Sequence, residues 1–157
     1  MKIKLLVIGK TDDKNLNQLI EIYQKRLQHY INFQLEVIPD IKNAKNLSQL
    51  QQKEKEGSLI LSKLQNTDQL VLLDEKGKEY RSIEFSNFLQ KKMNSGIKQL
   101  VLVIGGPYGF SETVYKKSMG KISLSKMTFS HQMIRLFVVE QLYRGFTILK
   151  NEPYHHE

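Results

Sequence analysis

The stretch QLVLVIGGPYG, Gln99 to Gly109, decides the fold class. Leu100 to Ile104 are all apolar, and the run stops in two glycines and a proline. A short unbroken apolar run ended by turn residues reads as a strand covered on both faces. Similar runs recur on the N-terminal side, at Ile3–Ile8 (closed by Gly9) and Gln69–Leu73. Phe33–Ile38 alternates apolar and polar positions before Pro39, which reads as another strand. Between them lie helical patterns. Leu16, Leu19, Ile20, Tyr23, Leu27 and Tyr30 recur at three and four. Ala44 to Gln65 forms a lysine-rich helix with Leu47, Leu50, Leu61 and Leu64 turned inward and Gly57 weakening its middle. Ser82 can cap a helix that buries Phe85, Phe88, Leu89 and Met93. Beyond Gly109, Ser111 and Glu112 open a short helix to about Met119, Ile122–Leu124 reads as a fifth strand, and a long apolar helix runs from about His131 to Leu149. Apolar strands alternating with helices predict an α/β fold, a parallel sheet flanked by helices.

At 157 residues the chain fits a single domain, 1–157, large enough for a real core. A balance of 24 Lys and Arg against 16 Asp and Glu gives +8, which favours a polyanionic partner, nucleic acid first, with solubility alone as the other reading. The absence of cysteine excludes disulfides, thiolate metal sites and a cysteine nucleophile. MKIKLLVIGKTDD does not read as a secretion signal, because Lys4 interrupts its apolar run and no small-residue cleavage site follows Gly9. No stretch approaches the length of a membrane span, so the expected location is cytoplasmic.

In parallel sheets ligands bind outside the carboxyl ends of the strands. Three polar segments fall there: Asp74-Glu75-Lys76-Gly77-Lys78, Gly105 to Gly109, and the hydroxyl-rich Ser123 to Ser130. The glycines after Ile104 suit either a backbone that a ligand approaches closely or a tight strand–helix turn. Their spacing is not GxGxxG, and no Walker lysine is present, which disfavours dinucleotides and nucleoside triphosphates. Four hydroxyls at Ser123, Ser125, Thr128 and Ser130 exceed what one helix cap needs, and the surplus suits a loop that wraps a small polar ligand. Arg135 and Arg144 are nine residues apart, about 180° around a helix, so they face different surroundings. Those surroundings are either an anion and a partner chain, or internal ion pairs with Glu140 as one member. The chain closes on Tyr154, His155 and His156, an aromatic plane and imidazoles where termini are ordinarily frayed. The histidines make no metal-binding spacing, so no metal is expected, and no GxSxG elbow exists.

Taken together, Leu73-Asp74 with Gly77-Lys78, Ile104-Gly105-Gly106-Pro107 with Gly109, Ser123-Leu124-Ser125 with Met127-Thr128, His131, Arg135, Glu140 to Arg144, and Pro153-Tyr154-His155 resemble, in order and over essentially the whole chain, the bacterial ribosomal RNA large subunit methyltransferase H family of the SPOUT superfamily. The resemblance implies a C-terminal trefoil knot, which periodicity cannot show and topology rules disfavour. It implies S-adenosylmethionine as methyl donor, a homodimer, and N3-methylation of a pseudouridine in 23S rRNA within the ribosome. Position by position, it assigns Leu73, Gly105 and the run Leu124, Ser125, Lys126, Met127, Thr128 and Phe129 to the cofactor. It assigns His131, Arg144, Tyr154 and His155 to the catalytic or RNA-facing side. Ser130 stands where the family often has proline, and Gly145 where alanine is usual. The last helix carries more large apolar residues than one buried stripe needs, Met133 and Phe137 among them, which supports an expected partner for its second face. Without the resemblance, a non-enzymatic RNA-binding module and a nucleotide-binding enzyme of another class remain open.

Overall fold

The computed structural model describes residues 1–157. The strands are β1 (Lys2–Ile8), β2 (Asn32–Ile38), β3 (Asp68–Glu79), β4 (Gln99–Ile104) and β5 (Lys121–Ser123). They form one parallel sheet in the order β2-β1-β4-β3-β5. The helices are α1 (Lys14–Leu27), α2 (Gln49–Ser62), α3 (Ser82–Asn94), α4 (Glu112–Lys117) and α5 (Met133–Leu149).

Alternate residues of each strand feed separate cores. Ile3, Leu5, Val7, Leu100, Leu102 and Ile104 pack beneath α1, α3 and α5. Leu6, Ile8, Val101, Val103, Leu70 and Leu72 pack beneath α2 and α4, through Ile60, Phe110 and Val114. Both faces are therefore covered, which is why the strand sequences show little polar alternation. In the first layer α5 lies against both α1 and α3. Its buried residues Val138, Val139, Leu142 and Phe146 belong to the larger core.

Several sequence expectations change in detail. The helix expected from Ala44 is a short 3-10 turn, Ala44–Asn46, followed by α2, which starts after Ser48. Ser48 Oγ accepts from the Gln51 N–H, and the Gln51 side chain accepts from the Ser48 N–H, a capping box that sets the start at Gln49. Leu50 and Leu19 face solvent, while Glu56 and Gly57 are buried. Gly57 marks a close approach: a Cβ there would lie 2.4 Å from Ser111 Oγ. At α3, Arg81 rather than Ser82 occupies the N-cap, and Glu84 accepts from its N–H. Strand β3 does not stop at Leu73. It continues to Glu79, with a register break between Leu73 and Lys78, both of which pair with Ile122. The residues read as a loop, Asp74 to Gly77, thus bulge out of the β3–β5 pairing, which resumes at Lys78. Gly77 is required there because a Cβ would lie 2.6 Å from the Ile122 main chain.

Candidate functional site

The ends of β3, β4 and β5 enclose a cavity of about 450 Å³. Volumes in the range of about 300–1,000 Å³ hold small ligands and cofactors. Leu73, Ile104, Ile122, Leu124 and Ile134 give it apolar walls, and Gly105 to Gly109 and Asp74 to Lys76 form its rim. Of the residues expected to hold the cofactor, Leu73, Gly105, Leu124, Ser125, Met127, Thr128 and Phe129 line it. Lys126 does not, and its side chain is exposed. His131, expected on the catalytic side, lines it too.

Three of the hydroxyl-rich segment's four hydroxyls bond within it or to the turn that follows, while Thr128, which lines the cavity, makes no such bond. Ser123 Oγ donates to the Ser125 carbonyl at 2.8 Å, and Ser125 Oγ accepts from the Met127 N–H at 3.0 Å. Ser130 Oγ accepts from the N–H groups of Gln132 and Met133, both at 3.2 Å, in the turn before α5, whose N-cap is Gln132. What this segment offers a ligand is therefore its shape, its main chain and the hydroxyls of Ser125 and Thr128. On the facing rim Asp74 is also engaged: its carboxylate accepts from Tyr115 Oη at 2.6 Å and from the Lys76 N–H at 2.8 Å. Burial and the Asp74 carboxylate push the Tyr115 hydroxyl up to about 12, so it remains a donor at any ordinary pH. Gly105 is hemmed in by protein: a Cβ there would lie 3.0 Å from the Phe110 ring, so any side chain would strike that ring first. Behind the same loop the Glu56 carboxylate presses on Gly106, 2.3 Å from where a Cβ would sit. Burial raises the pKa of Glu56, Asp40 adds to the effect, and a hydrogen bond from Gln52 opposes it.

Two residues absent from the expected site anchor the cavity's far wall. Gln132 donates to Asp12 Oδ2 at 2.7 Å and accepts from the Asp12 N–H at 2.9 Å. Arg135 is 1% exposed and donates to the carbonyls of Ile8 and Gly9 and to Thr11 Oγ1, at 2.7 to 2.9 Å. Burial depresses its pKa, with Asp12 and Asp40 opposing. These contacts carry the chain from β5, at the sheet's edge, back across to the end of β1. Arg135 therefore meets neither a carboxylate partner nor solvent, but strand-end carbonyls.

The remaining site residues lie elsewhere. Arg144, Tyr154 and His155 gather at the other end of α5 around Glu140. Glu140 Oε1 accepts from Arg144 Nε at 3.1 Å, Arg144 Nη2 at 2.6 Å and Tyr154 Oη at 2.9 Å, and its Oε2 accepts from Gln141 at 2.8 Å. The Arg144 guanidinium lies 4.6 Å over the Tyr154 ring, and its Nη1 is 3.3 Å from His155 Nδ1. Burial works against the Arg144 charge, but the bond to Glu140 outweighs it and the pKa rises. Tyr154 is driven up by burial first, then by Tyr23 and Glu140. Since Tyr154 donates to Glu140, the Tyr23 hydroxyl 3.4 Å away donates to Tyr154. The terminal segment is thus folded onto its own helix, further held by Tyr143 stacked edge-on to Tyr154 and by Glu152 accepting from Tyr30. Ile134 borders the cavity, and Arg144 lies ten residues along the same helix. At 1.5 Å per residue that is about 15 Å. One chain alone does not bring the catalytic-side residues together. The Arg144–Glu140 pair was open to sequence reasoning as an i, i+4 spacing. Tyr23, over a hundred residues away in sequence, was not.

Comparison with known proteins follows the same lines. The family model described as "Predicted SPOUT methyltransferase" matches residues 1–155. The chain is 73% identical over 157 residues to the ribosomal RNA large subunit methyltransferase H of Flavobacterium johnsoniae, covering 100% of both chains. It is 67% identical over 157 residues to the protein of that name from Parabacteroides distasonis, again covering 100% of both. Among solved structures, a "probable methylase family protein" of Haemophilus influenzae shares the fold with a TM-score of 0.54 at 11% identity, over 95% of this chain and 66% of that one. With the parallel sheet, the strand-end cavity and a family match spanning nearly every residue, the chain belongs to the SPOUT methyltransferases.

Proposed function

We propose that this protein transfers a methyl group from S-adenosylmethionine to N3 of a pseudouridine in 23S rRNA of the assembled ribosome, acting as a cytoplasmic homodimer of single-domain subunits. The observation that carries the reading is the cavity at the ends of β3, β4 and β5, lined by all but one of the positions that the family resemblance assigns to the cofactor. Family membership further implies that the return of the chain from β5 to β1 is threaded as a trefoil knot. No helix is long and apolar enough to cross a membrane, and the charge of +8 suits an RNA partner.

The cavity fits the cofactor on its own terms. Leu73, Ile104, Ile122 and Leu124 offer apolar surface to a flat aromatic base, and the glycine rim and the Leu124–Phe129 main chain offer polar groups to its edges. When bound, S-adenosylmethionine supplies an electrophilic sulfonium methyl. The chain's own residues must then hold the uracil ring in line with that methyl, favour loss of the N3 proton and exclude water. Arg144, Tyr154 and His155 are suited to stacking on the ring and donating hydrogen bonds to it. Their separation of about 15 Å from the cavity along α5 supports a composite site, in which the terminal cluster of one subunit faces the cavity of the other. Exposed apolar side chains near the cavity, Met133, Phe137 and Phe129, support the same contact. Ribosomes from cells lacking the gene, incubated with the purified protein and S-adenosylmethionine and analysed by mass spectrometry, test the assignment. One added methyl on a large-subunit pseudouridine is expected, and unmodified rRNA would refute it. Sedimentation at micromolar concentration tests the assembly, for which a stable monomer would be the contrary result.

A further inference from the structure

Asp74 is a carboxylate on the cavity rim whose direction the fold fixes. Its Oδ2 accepts from Tyr115 Oη at 2.6 Å and its Oδ1 from the Lys76 N–H at 2.8 Å. Both donors belong to residues that line the same cavity. Tyr115 keeps its proton, because burial and Asp74 push its hydroxyl up to about 12, so the bond does not reverse. The phenol is pinned in turn: its ring stands edge-on to Phe110 at 5.8 Å, and Lys121 Nζ lies over its face, 5.4 Å from the centre. A carboxylate can accept at about four positions. Asp74 spends two of them on the chain, and none of the chain's ion pairs includes it. Half-buried at the cavity lip, it keeps acceptor positions and a negative charge for a ligand.

We infer that Asp74, aimed by Tyr115, anchors the α-ammonium group of S-adenosylmethionine, so that the rim selects nucleosides carrying an amino-acid end. This rests on the reading of the cavity as the cofactor site. Asp74 is then a binding residue, and Tyr115 a positioning residue that acts only through the carboxylate. The charge of Asp74 decides the ligand group. A hydrogen bond between ions is about twice as strong as one between neutral groups, so a carboxylate without an ion-pair partner favours a cation over a ribose hydroxyl. The cofactor has two cationic groups. The ammonium carries three N–H donors, whereas the sulfonium carries none. A carboxylate beside the sulfonium would also stabilise a charge that methyl transfer removes, which favours the ground state over the transition state. The ammonium keeps its charge throughout. The apolar walls at Leu73, Ile104, Ile122 and Leu124 suit the base, which leaves the polar end of the molecule for the rim.

Calorimetric titration of the full-length protein with three ligands tests the inference. S-adenosylmethionine and S-adenosylhomocysteine both carry the ammonium, and only the first carries the sulfonium. Methylthioadenosine has the base and the ribose but no amino-acid end. Asp74→Asn keeps the shape of the side chain and removes its charge. It should raise Kd for the first two ligands alike, by about 10-fold or more, and change that for methylthioadenosine by less than about 3-fold. Equal weakening of all three would mean that Asp74 holds the ribose or the shape of the rim. Weakening of S-adenosylmethionine alone would mean a counter-charge to the sulfonium. Either result overturns the assignment, as does an unchanged Kd for every ligand. Tyr115→Phe should weaken the same two ligands by about 3-fold and add nothing in the Asp74→Asn background. An additive loss there overturns the positioning role. If the wild-type protein binds none of the three, the cofactor reading of the cavity falls and takes this inference with it, an outcome distinct from any pattern among the variants.

Discussion

At its N-terminal end α5 meets a cavity walled by main chain and half-exposed side chains. At its C-terminal end it meets a cluster in which nearly every polar group is paired. Around the cavity the hydroxyls of Ser123, Ser125 and Ser130 help to shape a loop, which presents main chain and the Thr128 hydroxyl to the cavity. Around Glu140 a single carboxylate oxygen gathers Arg144 and Tyr154, so the arrangement there depends on side-chain identity. The first kind of site is vulnerable to added atoms, and the second to removed ones.

Removing Tyr154 to Glu157 should break the comparison most visibly. Methyl transfer should fall by about 10³-fold or more, as when positioned donors are lost, while cofactor affinity measured by calorimetry stays within a few-fold. Loss of cofactor binding as well would mean that the two ends are one pocket. Gly105→Val attacks the other end. With only 3.0 Å to the Phe110 ring, which also lines the cavity, the branched side chain must displace that ring. Cofactor Kd should rise by about 100-fold with an unchanged circular dichroism spectrum, and unaltered affinity would remove Gly105 from the site. Arg135→Met asks what holds the cavity's far wall. Stranding the Ile8 and Gly9 carbonyls should cost about 3 kcal/mol in urea unfolding, and a change below 1 kcal/mol on that scale would show that the tie is dispensable. The smallest effect belongs to Glu56→Gln beneath Gly106. Burial raises the Glu56 pKa, so the folded state favours the protonated form. Its burial is cheap below the ordinary carboxyl range and becomes costly as pH rises through the raised value. The amide should therefore add about 1 kcal/mol, or roughly 2–4 °C in Tm, near pH 7–8. That gain should vanish by about pH 4, and a gain that persists in acid would point to packing instead.

The sheet was readable because its central strands, buried on both faces, are apolar runs that end in glycine or charge. Ile3–Ile8 and Gln99–Ile104 needed nothing more. The continuation of β3 beyond Leu73 was hidden because Asp74 to Glu79 run past the end of β4, where the polar residues of a bulged strand and of a loop look alike. Leu50 misled because helical spacing gives a face but not its neighbour, and α2 turns Ile60 and Gly57 inward instead. At the site, family resemblance grouped His131 with Arg144, Tyr154 and His155, yet the fold sets His131 in the cavity and the others at the far end of α5. Gln132, Arg135 and Glu140 act through partners that local sequence cannot name, apart from the Glu140–Arg144 spacing.

The place of α5 between α1 and α3 sets a timetable for synthesis. Chains leave the ribosome N-terminus first, so both flanking helices and the whole sheet exist before the element that fills the seam between them. Until Val138, Val139, Leu142 and Phe146 emerge, the apolar faces of Leu16, Ile20, Phe85 and Leu89 lack their main cover. The enzyme is therefore completed only after its last residues are free, and a message cut short before Phe146 yields a chain prone to aggregate rather than a weakened catalyst.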